Sequence, residues 1–295
     1  YYYFPRAGSI LKRRGVRVVR FIPPKILPPT IHINLRNHRK ILIADGQVAF
    51  TGGMNIGDRH MVQEVKNRGR VRDMHFRLKG PVVMQVEQAF MEDWAFCTGE
   101  MSAPRPNVPV PSGPAICRVI TDGPNEDMNK LHIILLGAIA SSREQVLIMT
   151  PYFLPSLEMI SALQSAALRG IDVKIVLPAK NNLPFIQWAS NNMLQDLIYW
   201  GVQIYFQPPP FAHTKLFVVD QQYAQIGSAN FDPRSLRLNF ELCVEVYEQH
   251  VAQTIADHIE HRIKHSHAIT LSAILQRPLI IKIRDALMWL FSPYL

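Results

Sequence analysis

The sequence predicts an α/β fold built from two matching halves that share one site. Three observations predict it. A polar motif occurs twice at constant spacing, strand-like and helix-like segments alternate, and a proline-rich stretch divides the 295 residues.

The elements follow in order. RRGVRVVRF reads as a helix end, a glycine stop at Gly15 and a period-two strand. NHRKILIADGQVAFTGGMN (residues 37–55) reads as a β-hairpin with His38 and Lys40 on alternate positions just ahead of it. RDMHFRLKG is a further strand. A helix over 81–96 opens with Pro81 and lines Val82, Val86, Phe90 and Trp94 on one face. Residues 97–117 carry Pro104, Pro106, Pro109, Pro111 and Pro114, a density that gives an extended linker. The predicted boundaries are therefore 1–105, a linker over 106–115, and 116–295.

The second part continues with a buried-type strand, EQVLIMT, then the helix PSLEMISALQSAALRG with a glycine stop, then the strand IDVKIVLPA. YWGVQIYFQ mirrors RRGVRVVRF. AHTKLFVVDQQYAQIGSAN mirrors the first hairpin, and NFELCVEVY mirrors RDMHFRLKG. A helix follows from about 249 to 264. The tail RPLIIKIRDALMWLFSPYL places Ile280, Ile283, Leu287 and Leu290 on one stripe, suited either to packing on the body or to shallow docking on an anionic bilayer.

The repeat is the strongest signal. His213, Lys215, Asp220, Gly227 and Asn230 follow His38, Lys40, Asp45, Gly52 and Asn55 by one constant offset (213 − 38 = 230 − 55 = 175). The two parts differ before it: 85 residues separate Ile116 from Gly201 (201 − 116), whereas 14 precede Gly15, a difference of 71 (85 − 14). The expectation is a chain that begins within its first repeat; divergence to a shorter first domain is the alternative.

Residues two apart on a strand share a face, so each histidine projects with its lysine. Asp45 and Asp220 lie an odd number of residues on, at the far strand ends, where they shape turns. Two copies brought together about a pseudo-twofold axis assemble two imidazoles, two ammonium groups and the amides of Asn55 and Asn230. That constellation suits a phosphodiester. Lysines and asparagines neutralise and hydrogen-bond the non-bridging oxygens, one histidine attacks phosphorus, and the other protonates the leaving oxygen. The lysines supply the positive charge, so no metal and no cofactor is required. His258, His261 and His265 share a helix face that could hold a metal, but as solvated groups near a helix C-terminus they need no such role. The net charge of +9 fits an anionic partner. Cys97, Cys117 and Cys243 are too dispersed for a zinc site or a disulfide framework. No run of 18 apolar residues occurs.

The paired HxKx4D followed by x6-G[GS]xN resembles the phospholipase D superfamily. The flanks TPYFLP, GSANFDPRSLRLNFE and LFSPYL resemble bacterial cardiolipin synthase, over nearly the whole chain. The resemblance implies two pseudo-symmetric α/β/α halves with the active site at their interface. It implies phosphatidyl transfer between two phosphatidylglycerol molecules with release of glycerol, at an inner membrane whose anionic phospholipid is the partner. The family's usual N-terminal transmembrane helices are not in this sequence. It places His38, Lys40, Asp45, His213, Lys215 and Asp220 in the catalytic set, with either histidine open as the nucleophile and a slight lean to His38. Asn55, Asn230 and Ser228 become phosphate ligands, Ser228 having only Gly53 as its counterpart. It gives Glu241 to His213 as the orienting carboxylate and, by aligning DMHFRLKG on NFELCVEV, gives Asp73 to His38. Tyr152 and Phe153 either line a lipid pocket or pack a corner. A nuclease of the same superfamily is a competing reading, weakened by the lack of basic strands interleaved with aromatics, so nucleic acid is an unfavoured partner. An inactive fragment that binds anionic lipid is another.

Overall fold

The computed structural model describes residues 7–23, 35–64, 67, 69–101, 108–124 and 127–292. The first part holds α1 (Ala7–Arg13), β1 (Ile41–Ala44), β2 (Val48–Gly52), β3 (Val71–Arg72), β4 (His75–Lys79) and α2 (Val82–Thr98). The second begins with β5 (Ile116–Asp122), α3 (Lys130–Ser141), β6 (Gln145–Met149), α4 (Leu157–Leu168), β7 (Asp172–Pro178) and α5 (Pro184–Tyr199). It continues with β8 (Gln203–Gln207), β9 (Phe211–Ala212), β10 (Leu216–Val219), β11 (Tyr223–Gly227), β12 (Glu241–Tyr247) and α6 (Gln249–Ile263). β13 (His267–Ala268), α7 (Leu271–Leu275) and α8 (Leu279–Leu290) complete the described chain.

One eight-stranded sheet runs β13-β8-β7-β6-β10-β11-β12-β5. β6, β7 and β8 are parallel and the other pairings antiparallel, giving the mixed sheet that strand–helix–strand alternation predicts. Alternate residues feed two cores. Val146, Ile148 and Ile175 point to a cluster with Leu131 and Leu135 of α3 and Leu163 of α4. Leu147, Met149 and Val218 point to a cluster with Ile255 and Ile259 of α6. The sheet is thus covered on both faces, which is why its central strands read as continuous apolar runs. Val83 and Val86 of α2 join the second cluster, so the two parts share a core.

The first part's sheet is smaller, β1-β2-β4, and antiparallel throughout. Its strands match β10, β11 and β12 in the larger sheet. Residues 16–20, predicted as a strand, pair with no strand among the described residues, and Val16 and Val19 are exposed. The mirror segment forms β8 because β7 lies beside it, whereas residues 16–20 have no such neighbour among the described residues. The face of α2 is also corrected. Val82, Val83, Val86 and Ala89 point inward, while Phe90 is exposed and stacks on Trp94. The helix turns this way because Asp93 faces inward, held by Asn37 Nδ2 at 2.6 Å and Arg39 Nη1 at 2.8 Å. Pro104 and Pro106 of the predicted linker lie outside the described residues.

Candidate active site

Each repeat folds into the same hairpin. β1 pairs β2 from Ile41↔Thr51 to Ala44↔Val48, and β10 pairs β11 from Leu216↔Ile226 to Val219↔Tyr223. Both connections are three residues long and use left-handed backbone at their first two positions, Asp45 and Gly46 and Asp220 and Gln221, closed by Gln47 N–H to Ala44 O and Gln222 N–H to Val219 O. The histidine and lysine sit just ahead of the first strand in each copy.

Those leading segments cross over. His38 N–H donates to Phe240 O at 2.9 Å, and His213 N–H donates to Arg72 O at 2.7 Å. Asn37 bridges Phe240 in parallel, and β9 pairs β3 in parallel. Each copy therefore lays its histidine against the strand that follows the other copy's hairpin.

The carboxylates are exchanged with it. Asp73 Oδ2 accepts from His213 Nδ1 at 2.9 Å, and Glu241 Oε1 lies 3.3 Å from His38 Nδ1. The predicted assignment, Glu241 to His213 and Asp73 to His38, is reversed. The sequence alignment behind it was also two residues out. Gly52 pairs His75 in the first sheet and Gly227 pairs Cys243 in the second, so Asp73 is the counterpart of Glu241, not of Asn239. The displacement arises because 18 residues separate Asn55 from Asp73 (73 − 55), whereas 11 separate Asn230 from Glu241 (241 − 230).

Both carboxylates are buried and held. Glu241 is fully buried; its Oε2 accepts a short bond from Ser228 Oγ and its Oε1 accepts from Asn239 Nδ2 at 3.3 Å. Asp73 Oδ1 accepts from Met74 N–H at 2.8 Å. The lysines fold back on their own copies: Lys40 Nζ donates to His38 O at 2.6 Å and Lys215 Nζ to His213 O at 2.5 Å. Burial pushes the Lys215 ammonium down to about 7, and burial lowers Lys40 too. Burial, with the Lys215 charge, holds the His213 imidazole down to about 4. With Nδ1–H committed to Asp73, Nε2 carries the lone pair, and the Lys215 ammonium lies 3.3 Å from it.

Other predicted site residues lie elsewhere. Asp220 is at the far end of β10, about 20 Å of strand from His213. Its carboxylate accepts the backbone N–H groups of Arg143, Glu144 and Gln145 at 2.8–2.9 Å, so it clamps the start of β6. Asp45 is exposed at the equivalent turn. Both reach no reacting atom. Ser228 is buried with its hydroxyl spent on Glu241, which makes it a positioning residue for His38 rather than an open phosphate ligand. Asn230 is buried, donates to Ser235 Oγ at 3.1 Å and has an unpartnered Oδ1. Asn55 is exposed, because the chain after Gly53 enters a longer loop instead of the close turn that follows Ser228.

Four participants were not singled out from sequence. Asn239 Nδ2 lies 3.2 Å from His38 Nδ1. Arg39, between His38 and Lys40 and so on the opposite face, donates to Glu241 O at 3.1 Å as well as to Asp93. Asp93 secures that arginine from α2. Asp232, in the same GSANFDPRS segment as Asn230, is buried and pushed up to about 6 by that burial. Of the TPYFLP aromatics, Tyr152 stands edge-on to His213 with ring centroids 6.0 Å apart, whereas Phe153 is a core residue.

The arrangement offers a neutral imidazole nitrogen, a second carboxylate-backed imidazole and two ammonium groups converging from two copies. Among the described residues no cluster of three or more histidine, cysteine or acidic side chains is placed to hold a metal.

Comparison with known proteins gives a consistent family. The model described as "Cardiolipin synthase, PLD-like domain" matches residues 135–263, which lie in the second part. The chain is 35% identical over 289 residues to the "Major cardiolipin synthase ClsA" of Bacillus subtilis, covering 97% of this chain and 60% of that protein. It is 33% identical over 290 residues to the cardiolipin synthase of Geobacillus kaustophilus, covering 97% and 57%. The chain thus spans about 60% of the length of the curated relatives it matches. Among solved structures, phosphatidylserine synthase of Haemophilus influenzae shares the fold, with a TM-score of 0.65 at 14% identity, over 90% of this chain and 72% of that one.

Proposed function

We propose, from the match of residues 135–263 to the cardiolipin synthase PLD-like domain and the 35% identity to a cardiolipin synthase, that the chain is a phospholipase D-superfamily phosphatidyltransferase that joins two phosphatidylglycerol molecules into cardiolipin with release of glycerol. The observation that carries the reading is the exchanged pairing of each histidine with the other copy's carboxylate, beside the two lysines.

Nε2 of His213 attacks phosphorus, the bond from phosphorus to the glycerol oxygen breaks, and a phosphatidyl-histidine forms. His38, backed by Glu241 and with 34% of its side chain open to solvent, gives a proton to the departing oxygen. His38 then takes the proton of a hydroxyl on a second phosphatidylglycerol, whose oxygen displaces His213. Lys40 and Lys215 hold the non-bridging oxygens through both steps. The sequence leaves the nucleophile open, with a slight lean to His38; the neutral, solvent-shielded His213 supports the opposite assignment. Asn230 is kept as the phosphate ligand of the second copy; its amide is buried, with Nδ2 on Ser235 Oγ, and has to turn toward the site to serve. The substrate places the reaction at an anionic membrane surface, and no helix among the described residues is long and apolar enough to cross a membrane.

The test uses phosphatidylglycerol vesicles with a radiolabelled phosphate. H38N should form a labelled adduct on His213 and turn over slowly, whereas H213N should form none. A stable adduct on His38 in H213N reverses the assignment. Cleavage of single-stranded DNA with no cardiolipin formed refutes the proposed substrate.

A further inference from the structure

α8 is packed with its charges inward and its apolar side outward. Asp285 is buried at 1% exposure, accepting from Arg277 Nη1 at 2.9 Å and Arg284 Nη2 at 2.6 Å. Arg277 also donates to Asn191 O on α5, and the Arg284 guanidinium lies 4.5 Å from the centre of the Trp188 ring. Facing out are Leu279, Ile280, Ile283, Leu287, Leu290 and Phe291, between 51% and 77% exposed. A surface helix in water has the reverse arrangement. Single exposed apolar side chains are common; six along one helix face mark an interface.

Two observations identify what covers it. First, the charge beside the apolar face is positive: Arg277 and Arg284 share the single buried acid Asp285, and Lys282, in an exposed bond to Leu275 O at 2.7 Å, has no acidic partner among the described residues, a balance suited to an anionic surface. Second, the stripe is continuous with a cavity of about 570 Å³ beneath its C-terminal end. Leu290 belongs to both. The apolar walls include Leu154, Met193, Leu236 and Trp289, and His132, Glu158, Asp232 and Arg237 are among the polar members. Asp232 Oδ1 accepts from Ser235 N–H at 2.7 Å, and Ser235 Oγ accepts from Asn230 Nδ2 at 3.1 Å, so the cavity wall is tied to the segment that carries Asn230. The volume is that of an ordinary ligand pocket.

We propose that the outward face of α8 docks on an anionic bilayer and that the cavity behind Trp289 and Leu290 receives one acyl chain of the phospholipid whose phosphate is bound at His38 and His213. The inference rests on the phosphatidyl-transfer reading for the identity of the lipid and on α8 alone for the docking face.

The experiment compares the full chain with I280S/I283S/L287S and with W289F. The three serine positions are exposed, so the fold does not depend on them. The serine variant should lose about tenfold or more in binding to phosphatidylglycerol vesicles and in turnover on them. Its turnover on a monomeric short-chain phosphatidylglycerol should be unchanged. Phosphatidylglycerol brominated in its acyl chain should quench the wild type more than W289F. Equal vesicle binding by the serine variant overturns the proposal, as does equal quenching of wild type and W289F. A wild-type dimer that the serine substitutions split into monomers assigns the face to a second copy and likewise overturns it. If the wild type docks through α8 and is quenched at Trp289 yet makes no cardiolipin, the docking inference stands and the transferase reading falls.

Discussion

Gly53 is the point at which a single methyl group should disable the opposite half of the site. A Cβ at Gly53 would lie 2.5 Å from Asp73 Oδ1, 2.8 Å from Oδ2 and 3.0 Å from Cγ, roughly an ångström inside ordinary contact. Asp73 has little room to yield. Its side chain is 1% exposed, and it is pinned by Met74 N–H at 2.8 Å and His213 Nδ1 at 2.9 Å. G53A therefore pushes the carboxylate off His213. Losing one hydrogen bond to a charged group costs about 1.5–3 kcal/mol. At 1.36 kcal/mol per decade, that is a fall of about 10- to 160-fold in kcat, with KM for phosphatidylglycerol little changed. Overpacking adds about 1–3 kcal/mol of lost stability, read separately by thermal melting. The other half shows the remedy. Ser228 occupies the same position there and fits because Glu241 is one methylene longer. G53S/D73E copies that pair and should recover most of the loss. Wild-type kcat in G53A would refute the reasoning, because Asp73 would then hold His213 despite the added methyl or would not matter to it.

Three further outcomes follow from the same geometry. Lys215 is depressed from 10.5 to about 7 by burial, so the unfolded chain binds more protons between those values. Its contribution therefore makes stability rise with pH from about 7 to 10.5, while turnover falls as the ammonium is lost; K215M should flatten that part of the Tm-against-pH curve. R39M removes a guanidinium that is 4% exposed and strands Asp93, which should cost about 3–5 kcal/mol in denaturant unfolding and also lower kcat by freeing the segment that carries His38. D220A should lower stability by about 1–3 kcal/mol through loss of the β6 clamp, yet leave kcat per folded molecule unchanged, which distinguishes it from any substitution at His38 or His213.

What was legible in the sequence was local. The two hairpins, their turns and their equal spacing follow from residues within a few positions of one another, and the structure reproduces them register for register. The helix stops at Gly15 and Gly170, and the mixed sheet, also follow from local pattern. What was not legible depends on pairings across the chain. Nothing near His38 shows that Phe240 will sit beside it, so the exchange of Asp73 and Glu241 was hidden. The longer connection after Asn55 hid the true alignment of the two carboxylates and carried Asn55 away from its counterpart's position. Residues 16–20 have strand-like alternation, but a strand also needs a neighbour. The buried face of α2 was misjudged because Asp93 points inward, a polar position that hydrophobic periodicity counts as outside.

The exchanged pairing is the centre of the account, and it is read most directly by the imidazole 15N resonances of His38 and His213 in the wild type, D73N and E241Q. The account predicts that D73N shifts Nδ1 of His213 and leaves His38 in place, and that E241Q does the reverse. Shifts of His38 in D73N and of His213 in E241Q would mean that each carboxylate serves its own half, and would contradict it.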